Sequence, residues 1–280
     1  MPGRLTLLDG AMGTALQARG LPADALPEEW LEARPEEVTA VHAAHAAAGA
    51  RVLLTCSFNA AAPRLAAREG LGGVEGLCAR AVRLAREAGP GLQVAGDLGP
   101  TGLARPGDPA PPRAELGERY ELPARSLAAA GADLVWIESQ WDLGEARAAL
   151  AAARRTGLPA ALTFTFRERA GRFEAPDGTP AEECLAAAAA DGAFAVGVNC
   201  VAPGAALAGL AAWSAASLRV PFAAKPSPGP PGAVLSPRAF AAAVAPALGA
   251  GLRLAGGCCG ATAAHLAALR VALAAADAPP

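Results

Sequence analysis

The sequence predicts an α/β fold, a single-domain (β/α)8 barrel of the TIM type. Short apolar segments alternate with alanine-rich segments of helical length along the whole chain, which is typical of a parallel sheet covered by helices. We count about eight strand–helix units, the number that closes a barrel. The length of 280 residues and the hydrophobic content of 53% suit one such barrel, so residues 1–280 are treated as one domain.

The predicted strands are short and apolar, and most end next to a polar residue. They lie at 4–8, 50–55, 92–96, 132–137, 159–165, 193–199, 220–224 and 251–255. The predicted helices lie at 35–48, 74–88, 115–130, 143–155, 180–190, 205–216, 237–248 and 262–275. Proline is well placed in a first helical turn, as at Pro35, and Gly89 follows the end of the second helix. The Pro-rich segments 100–112 and 226–231 are predicted to be loops over one face of the barrel.

Charge and hydropathy exclude several classes of protein. The net charge of −2 and the pI of about 6.0 give no basic surface, so we expect neither nucleic acid nor an anionic membrane as a partner. No apolar stretch reaches the length of a membrane span, and the N-terminus lacks the apolar core of a secretory signal. We therefore expect a cytoplasmic protein, in which cysteines bind metals or catalyse reactions more often than they form disulfides.

Three cysteines are the strongest chemical signal. Cys258 and Cys259 are adjacent within a run of glycines after the last predicted strand, and Cys200 follows the sixth. Three soft thiolates favour zinc and leave one of its four positions open, as in catalytic sites. Neighbouring residues of a strand point to opposite faces, so the backbone must leave strand geometry for both to reach one ion. The alternatives are buried apolar cysteines or a disulfide between neighbours.

The sequence around these cysteines resembles a known family. GVNC at 197–200, GGCCG at 256–260 and LLDGAMGT at 7–14 are similar to motifs of the homocysteine S-methyltransferase family, which includes the homocysteine-binding module of methionine synthases. The resemblance runs over nearly the whole chain. It implies a barrel, a zinc ion on Cys200, Cys258 and Cys259, and methyl transfer to homocysteine. Residues 226–229 read PSPG where the family has Pro-Asn-x-Gly, which leaves the fourth zinc ligand of the free enzyme open.

Polar residues stand at or just past the ends of the predicted strands. In a barrel these ends share one face, where active sites are built, so residues remote in the chain can converge there. The set comprises Asp9, Ser57, Asn59, Asp97, Glu138, Thr165, Asn199, Cys200, Lys225, Cys258 and Cys259.

An amino-acid substrate needs contacts besides those to its sulfur. Asp9 and Glu138 are candidates for the α-ammonium, and the resemblance supports both, because the family has an acidic residue in its DG and IE motifs. Backbone N–H groups of the turn at Gly10 and Ala11 are candidates for the α-carboxylate. Ser57, Asn59 and Asn199 complete the predicted substrate-binding set. The alternatives are that Asp9 is a turn residue and that Glu138 forms a salt bridge at the barrel rim.

The predicted reaction is methylation of a thiol. A free thiol has a pKa of about 8.5, whereas a zinc-bound thiol is deprotonated. A zinc ion on three cysteinates carries net negative charge, so a fourth thiolate stays nucleophilic. The histidines, His42, His45 and His265, lie in predicted helices and are interpreted as surface or packing residues.

The methyl donor cannot be read from these residues. We expect no cobalamin or folate domain in a chain of this length, so the donor is a small molecule such as S-methylmethionine or betaine, or is carried by a corrinoid or folate protein. A sulfonium donor or a cobalamin-bearing partner is favoured over betaine. Two alternatives remain: a homocysteine-binding module without turnover of its own, and a zinc or thiol redox barrel with a Cys258–Cys259 disulfide.

Overall fold

A computed structural model describes residues 5–66, 71–104, 111–230 and 232–276. Its strands are β1 Thr6–Leu7, β2 Val52–Leu54, β3 Gln93–Leu98, β4 Leu134–Gln140, β5 Ala160–Phe164, β6 Arg167–Arg169, β7 Arg172–Glu174, β8 Ala195–Asn199, β9 Phe222–Lys225 and β10 Leu252–Ala255. Eight of them form one parallel sheet in the order β1-β10-β9-β8-β5-β4-β3-β2. A parallel bridge between Leu8 and Val52 joins its two edges. The predicted (β/α)8 barrel is therefore confirmed.

Helices cover the outside of the sheet. They are α1 Met12–Gln17, α2 Trp30–Ala33, α3 Pro35–Ala48, α4 Pro63–Ala66, α5 Gly73–Arg86, α6 Arg113–Ala129, α7 Leu143–Arg154, α8 Ala181–Ala190, α9 Ala205–Ser217, α10 Pro237–Gly249 and α11 Ala263–Ala276, with a 3-10 helix at Pro27–Glu29. Every predicted helix is present, with ends shifted by a few residues at most. The short helices α1, α2 and α4 and the 3-10 helix were not predicted, because segments this short show no clear 3.6-residue period.

Local signals explain where the long helices begin and end. Pro35 opens α3, and Gly49 follows its end with a φ of 111°, a left-handed conformation that glycine adopts without strain. The side chain of Asp142 caps α7 by accepting a hydrogen bond of 2.7 Å from the N–H of Glu145. Ser236 caps α10 in the same way.

The predicted loops are only partly described. Residues 100–104 have no regular structure, and 105–110 lie outside the described residues, as does residue 231 of the second loop. The polar segment at 167–178 contains a feature that was not predicted, the antiparallel hairpin of β6 and β7.

Small side chains fill much of the barrel interior. Alanines at positions 95, 161, 195 and 223 pack there with Trp136, Val52 and four leucines. A mainly apolar cavity of about 410 Å³ opens at the amino-terminal ends of the strands and is lined by Leu8, Trp136 and Leu254 among others. It lies at the end opposite the cysteines. Among the described residues, no helix has both the length and the hydropathy that crossing a membrane requires.

Replacing Gly197 by alanine should destabilise the barrel. A Cβ at Gly197 in β8 would overlap the carbonyl oxygen of Ala223 in the neighbouring β9, so two central strands would have to separate. We expect Gly197→Ala to lower the free energy of unfolding by about 2 kcal/mol or more.

The matched control is Gly209→Ala in the middle of α9, where an added Cβ meets nothing within 4 Å. Alanine is the better helix former, so this variant should be stabilised by about 0.5–1 kcal/mol. Urea unfolding of both variants checks the pair, and equal stabilities would contradict the close packing at Gly197.

Candidate metal centre and substrate site

Three cysteine sulfurs meet at the carboxyl-terminal face of the barrel. The Sγ atoms of Cys200, Cys258 and Cys259 all lie within 4.8 Å of one another, and the described residues contain no other cluster that could hold a metal. The Sγ of Cys259 is 3.9 Å from that of Cys200 and 4.0 Å from that of Cys258. Cys200 and Cys258 are in disulfide contact, with Cα atoms 5.4 Å apart. A disulfide was weighed for Cys258–Cys259, but that pair is not the one in contact.

The backbone leaves strand geometry at all three cysteines. Cys200 directly follows β8 and has a φ of 57°, which non-glycine residues rarely adopt and which is frequent at functional sites. Cys258 and Cys259 lie in a turn beyond the end of β10. Gly256 permits this turn, because a Cβ there would lie 2.7 Å from the carbonyl oxygen of Asp9.

Backbone hydrogen bonds connect this turn to the neighbouring strand ends. The N–H of Cys200 donates to the carbonyl of Lys225 (3.1 Å), and the N–H of Cys258 donates to that of Pro226 (2.9 Å). The N–H of Gly257 donates to the carbonyl of Asp9 (3.0 Å). The ends of β1, β8, β9 and β10 are thus held in one register around the sulfurs.

Asn199 lies directly beneath the cysteines and is fully buried. Its Oδ1 accepts hydrogen bonds from the N–H of Ser139 (2.8 Å) and the hydroxyl of Thr163 (3.0 Å). Its Nδ2 donates to Ser139 Oγ (2.6 Å) and lies 3.7 Å from Cys200 Sγ and 4.0 Å from Cys258 Sγ. Asn199 therefore links the end of β4 to the sulfurs of the cysteine cluster.

A buried cluster of charges lies beside the sulfurs. The Nζ of Lys225 is 2.9 Å from Asp9 Oδ1 and 3.5 Å from Glu138 Oε2. The second oxygen of Asp9 accepts a hydrogen bond of 2.8 Å from the N–H of Leu54. Asp97 is a third buried carboxyl, and its Oδ1 has no hydrogen-bond partner among the described residues. The two predicted acids therefore share one cation, Lys225, which the sequence placed on the same face without a role.

Burial and mutual charge set the ionisation of this cluster. Burial raises the pKa of Glu138, although the Lys225 ammonium lowers it in part. Burial and the nearby Glu138 carboxylate raise the pKa of Asp97 well above its usual value. Burial alone would disfavour the Lys225 ammonium, but Asp9 and Glu138 outweigh that effect and raise its pKa. Lys225 is thus held as a buried cation.

The remaining predicted residues are buried and hydrogen-bonded. Ser57 is fully buried, and its hydroxyl donates to the carbonyl of Asp97 (2.8 Å). Asn59 is also buried; its side-chain amide donates to the Glu28 carboxylate, and its carbonyl accepts from Arg64. The polar groups of Ser57 and Asn59 are therefore engaged within the protein.

The turn after β1 is tightly packed. The N–H of Ala11 donates to the carbonyl of Ala261 (3.3 Å). Gly10 is buried, and a Cβ there would lie 2.8 Å from that same carbonyl oxygen and 2.9 Å from His45 Nε2. The carboxylate-binding role of Gly10 and Ala11 stays a prediction.

Sequence analysis placed Lys225 at a strand end but gave it no role, did not identify Glu28, and left open whether the histidines pack inside or lie on the surface. Lys225 is the single lysine of the chain and ends a barrel strand, a signal that could have been used. His42 and His45 are buried, so they are packing rather than surface residues. Burial lowers the pKa of His42 to about 4, although the nearby Asp9 charge partly opposes this.

Comparison with known proteins agrees with this geometry. The family model described as homocysteine S-methyltransferase matches residues 6–273. The chain belongs to the homocysteine S-methyltransferase family. The predicted resemblance and the predicted class of enzyme are thereby confirmed.

Individual relatives cover the chain to different extents. It is 34% identical to a homocysteine S-methyltransferase of Escherichia coli over 223 residues, which are 71% of this chain and 70% of that protein. The crystal structure of the E. coli homocysteine methyltransferase MmuM in its metallated form superimposes with a TM-score of 0.80 at 30% identity, over 96% of each chain. A methionine synthase of Mycobacterium tuberculosis is 28% identical over 97% of this chain but only 25% of its own length.

Replacing His42 by leucine should reduce the acid sensitivity of the fold. The pKa of His42 is about 4 in the folded chain, against an ordinary value of 6.5, so between these values the unfolded state binds a proton that the native state excludes. Stability therefore falls as the pH drops from about 6.5 to 4, by at most about 3 kcal/mol from this group.

Leucine cannot titrate, so His42→Leu should lack this share of the loss, while the buried acids Glu28 and Asp97 contribute equally to both proteins. Urea unfolding of the wild type and the variant at pH 7.5 and 4.5 measures the difference. A loss of stability of the same size in both proteins would show that His42 does not carry it.

Proposed function

We propose that this chain transfers a methyl group to the thiol sulfur of homocysteine, forming methionine, at a zinc ion held by Cys200, Cys258 and Cys259. The observation that carries the proposal is the meeting of three sulfurs from separate strand ends next to a buried cluster of carboxylates. A sulfur site and an ammonium site side by side match the two ends of a thiol amino acid. Membership of the homocysteine S-methyltransferase family points to the same substrate.

The cysteine cluster fits zinc by its spacing and its chemistry. With Zn–S bonds of about 2.3 Å, the sulfurs of a tetrahedral site lie about 3.8 Å apart, close to the 3.9 and 4.0 Å that separate Cys259 from its two neighbours. Reduced Cys200 and Cys258 would complete the set, and three soft donors leave one position open. When bound, zinc would supply the Lewis acidity that keeps a substrate thiol ionised at neutral pH.

The residues beneath the cysteines would hold the sulfurs in place. Asn199 turns its amide N–H toward Cys200 and Cys258 while its carbonyl is fixed by Ser139 and Thr163. Such outer contacts orient ligands and commonly change metal affinity or activity by about 10–100-fold. We assign Asn199 this orienting role, because it is fully buried.

The substrate's α-ammonium would be received by the carboxylates next to the sulfurs. Glu138 directly precedes Ser139, and Ser139 forms hydrogen bonds with Asn199. Because the amide of Asn199 also lies beside Cys200 and Cys258, the acid and the cysteines are connected through Asn199. Gly10 and Ala11 follow Asp9 and remain our candidates for the substrate's carboxylate.

The methyl donor defines two candidate functions. With S-methylmethionine, the thiolate sulfur of homocysteine forms a bond to the methyl carbon as the sulfonium C–S bond breaks, and a neutral thioether leaves. The second candidate is a homocysteine-binding module that receives the methyl group from a separate corrinoid or folate protein. The match of 97% of this chain to 25% of a methionine synthase is the reason to test it as well.

Cys259→Ala should abolish both metal binding and activity. Two sulfurs then remain of three, so zinc content should fall to a small fraction of the wild-type level and methyl transfer should fall by at least about a hundredfold. Cys259 is exposed, so the fold should survive, as a melting temperature close to the wild-type value would show.

Cys184→Ala is the matched control, since Cys184 is a buried thiol of α8 outside the cluster. It should keep its zinc and its activity and lose only about 1 kcal/mol of stability. Elemental analysis and a methionine assay measure both variants. Full activity of a zinc-free Cys259→Ala enzyme would end the zinc proposal.

The donor is identified by assaying the purified chain with homocysteine and each donor in turn. We expect methionine from S-methylmethionine without any partner protein, at two methionines formed per S-methylmethionine consumed. Formation of methionine only with methylcobalamin or a corrinoid protein would establish the second candidate. Absence of methionine with all donors, from enzyme that contains zinc, would refute methyl transfer to homocysteine.

A further inference from the structure

The buried ammonium of Lys225 lies among the carboxylates that the proposed function gives to the substrate. Lys225 is 3% exposed, and its Nζ is 2.9 Å from Asp9 Oδ1. A substrate ammonium carries the same charge and the same donor groups as this side chain. Lysine and substrate therefore compete for the same acceptors or divide them.

The contacts of Asp9 show how the acceptors are divided. Both oxygens of Asp9 are engaged, one by Lys225 and the other by the N–H of Leu54 at 2.8 Å. The side chain of Asp9 is only 3% exposed. Asp9 therefore presents almost no accessible carboxylate surface to the open face of the barrel.

Glu138 differs from Asp9 both in its distance from Lys225 and in its exposure. It lies farther from Lys225, with Oε2 at 3.5 Å from Nζ, and its side chain is 11% exposed. Oε2, the oxygen that faces Lys225, is buried and has no closer partner among the described residues, so the exposed part of Glu138 lies elsewhere on its side chain. Glu138 is thus the carboxylate that remains available to a cation arriving from the open face.

We propose that Lys225 is a built-in ammonium that occupies Asp9 and leaves Glu138 as the single carboxylate that binds the ammonium of the substrate. This inference rests on the proposed function and assigns roles within its site. Asp9 is then a positioning residue that acts through Lys225, and Lys225 determines how many carboxylates the substrate meets. Removal of Asp9 alone would release Lys225 to pair fully with Glu138 and exclude the substrate's ammonium.

The test compares homocysteine with 4-mercaptobutyrate, which has the same thiol and carboxylate but no ammonium. The ratio of their dissociation constants, measured by calorimetry on the zinc-loaded protein, reports ammonium binding independently of the methyl donor. The wild type should prefer homocysteine by at least about tenfold, as expected of a charged hydrogen bond in a buried site. Glu138→Gln should abolish most of this preference.

Two further variants separate the roles of Asp9 and Lys225. Asp9→Asn should reduce the preference for homocysteine, because the freed Lys225 blocks Glu138. The double variant Asp9→Asn with Lys225→Met should recover the preference to within about threefold of the wild-type value, since Glu138 is then open. If Asp9 bound the substrate directly, the double variant would stay as poor as Asp9→Asn, and that result would overturn the proposal.

A variant that leaves one buried charge unpaired can fail to fold, so melting temperature and zinc content are measured for each protein. The double variant removes both charges together, and its comparison with the wild type decides the question even if Asp9→Asn is unstable. A wild-type protein that binds neither thiol would refute the proposed function itself. A wild type that prefers homocysteine, with no recovery in the double variant, would refute only the role of Lys225.

Discussion

Backbone hydrogen bonds between neighbouring strand ends hold the three cysteines together. Gly257 donates to Asp9, Cys258 to Pro226 and Cys200 to Lys225, all within 3.1 Å. These bonds continue the pairing of the barrel beyond its regular strands, so the positions of the sulfurs follow from the closure of the sheet. Because main-chain bonds in a closed ring allow little movement, the sulfur cluster is organised before any ligand binds.

The second constraint is electrostatic. Asp9, Asp97 and Glu138 are all buried, and a buried carboxylate is stable in its charged form only when it is paired or hydrogen-bonded. Lys225 supplies one positive charge to this group. A further cation would favour the charged forms of Glu138 and Asp97, whose pKa values burial raises, and this supports the proposed binding of an ammonium there.

Unusual backbone conformations are concentrated where the strands end. Ser139 and Cys200 have φ values of 60° and 57°, in a region that costs free energy for residues other than glycine. The two residues are joined through Asn199, whose carbonyl accepts from Ser139 and whose amide lies against Cys200. The contacts of Asn199 thus hold both conformations, and they couple the acid at the end of β4 to the sulfur at the end of β8.

The periodic alternation of apolar and helical segments was sufficient to predict the barrel and its principal helices. Periodicity is a local property, and each long element repeats it several times. The short helices α1, α2 and α4 were missed because a helix of one or two turns offers too few repeats. The motifs around Cys200, Cys258 and Cys259 were equally readable, because glycine-flanked cysteines at two strand ends form a local pattern.

The sequence by itself determined the strand–helix order, and with it the face on which residues at the strand ends must meet. Only the tertiary structure decided which of those residues pair with one another. Lys225 and Asp9 are 216 positions apart, and no local pattern reports that the closure of the ring makes them neighbours. The burial of Ser57, Asn59 and His42 was decided in the same way, since exposure depends on what the rest of the chain packs against a side chain.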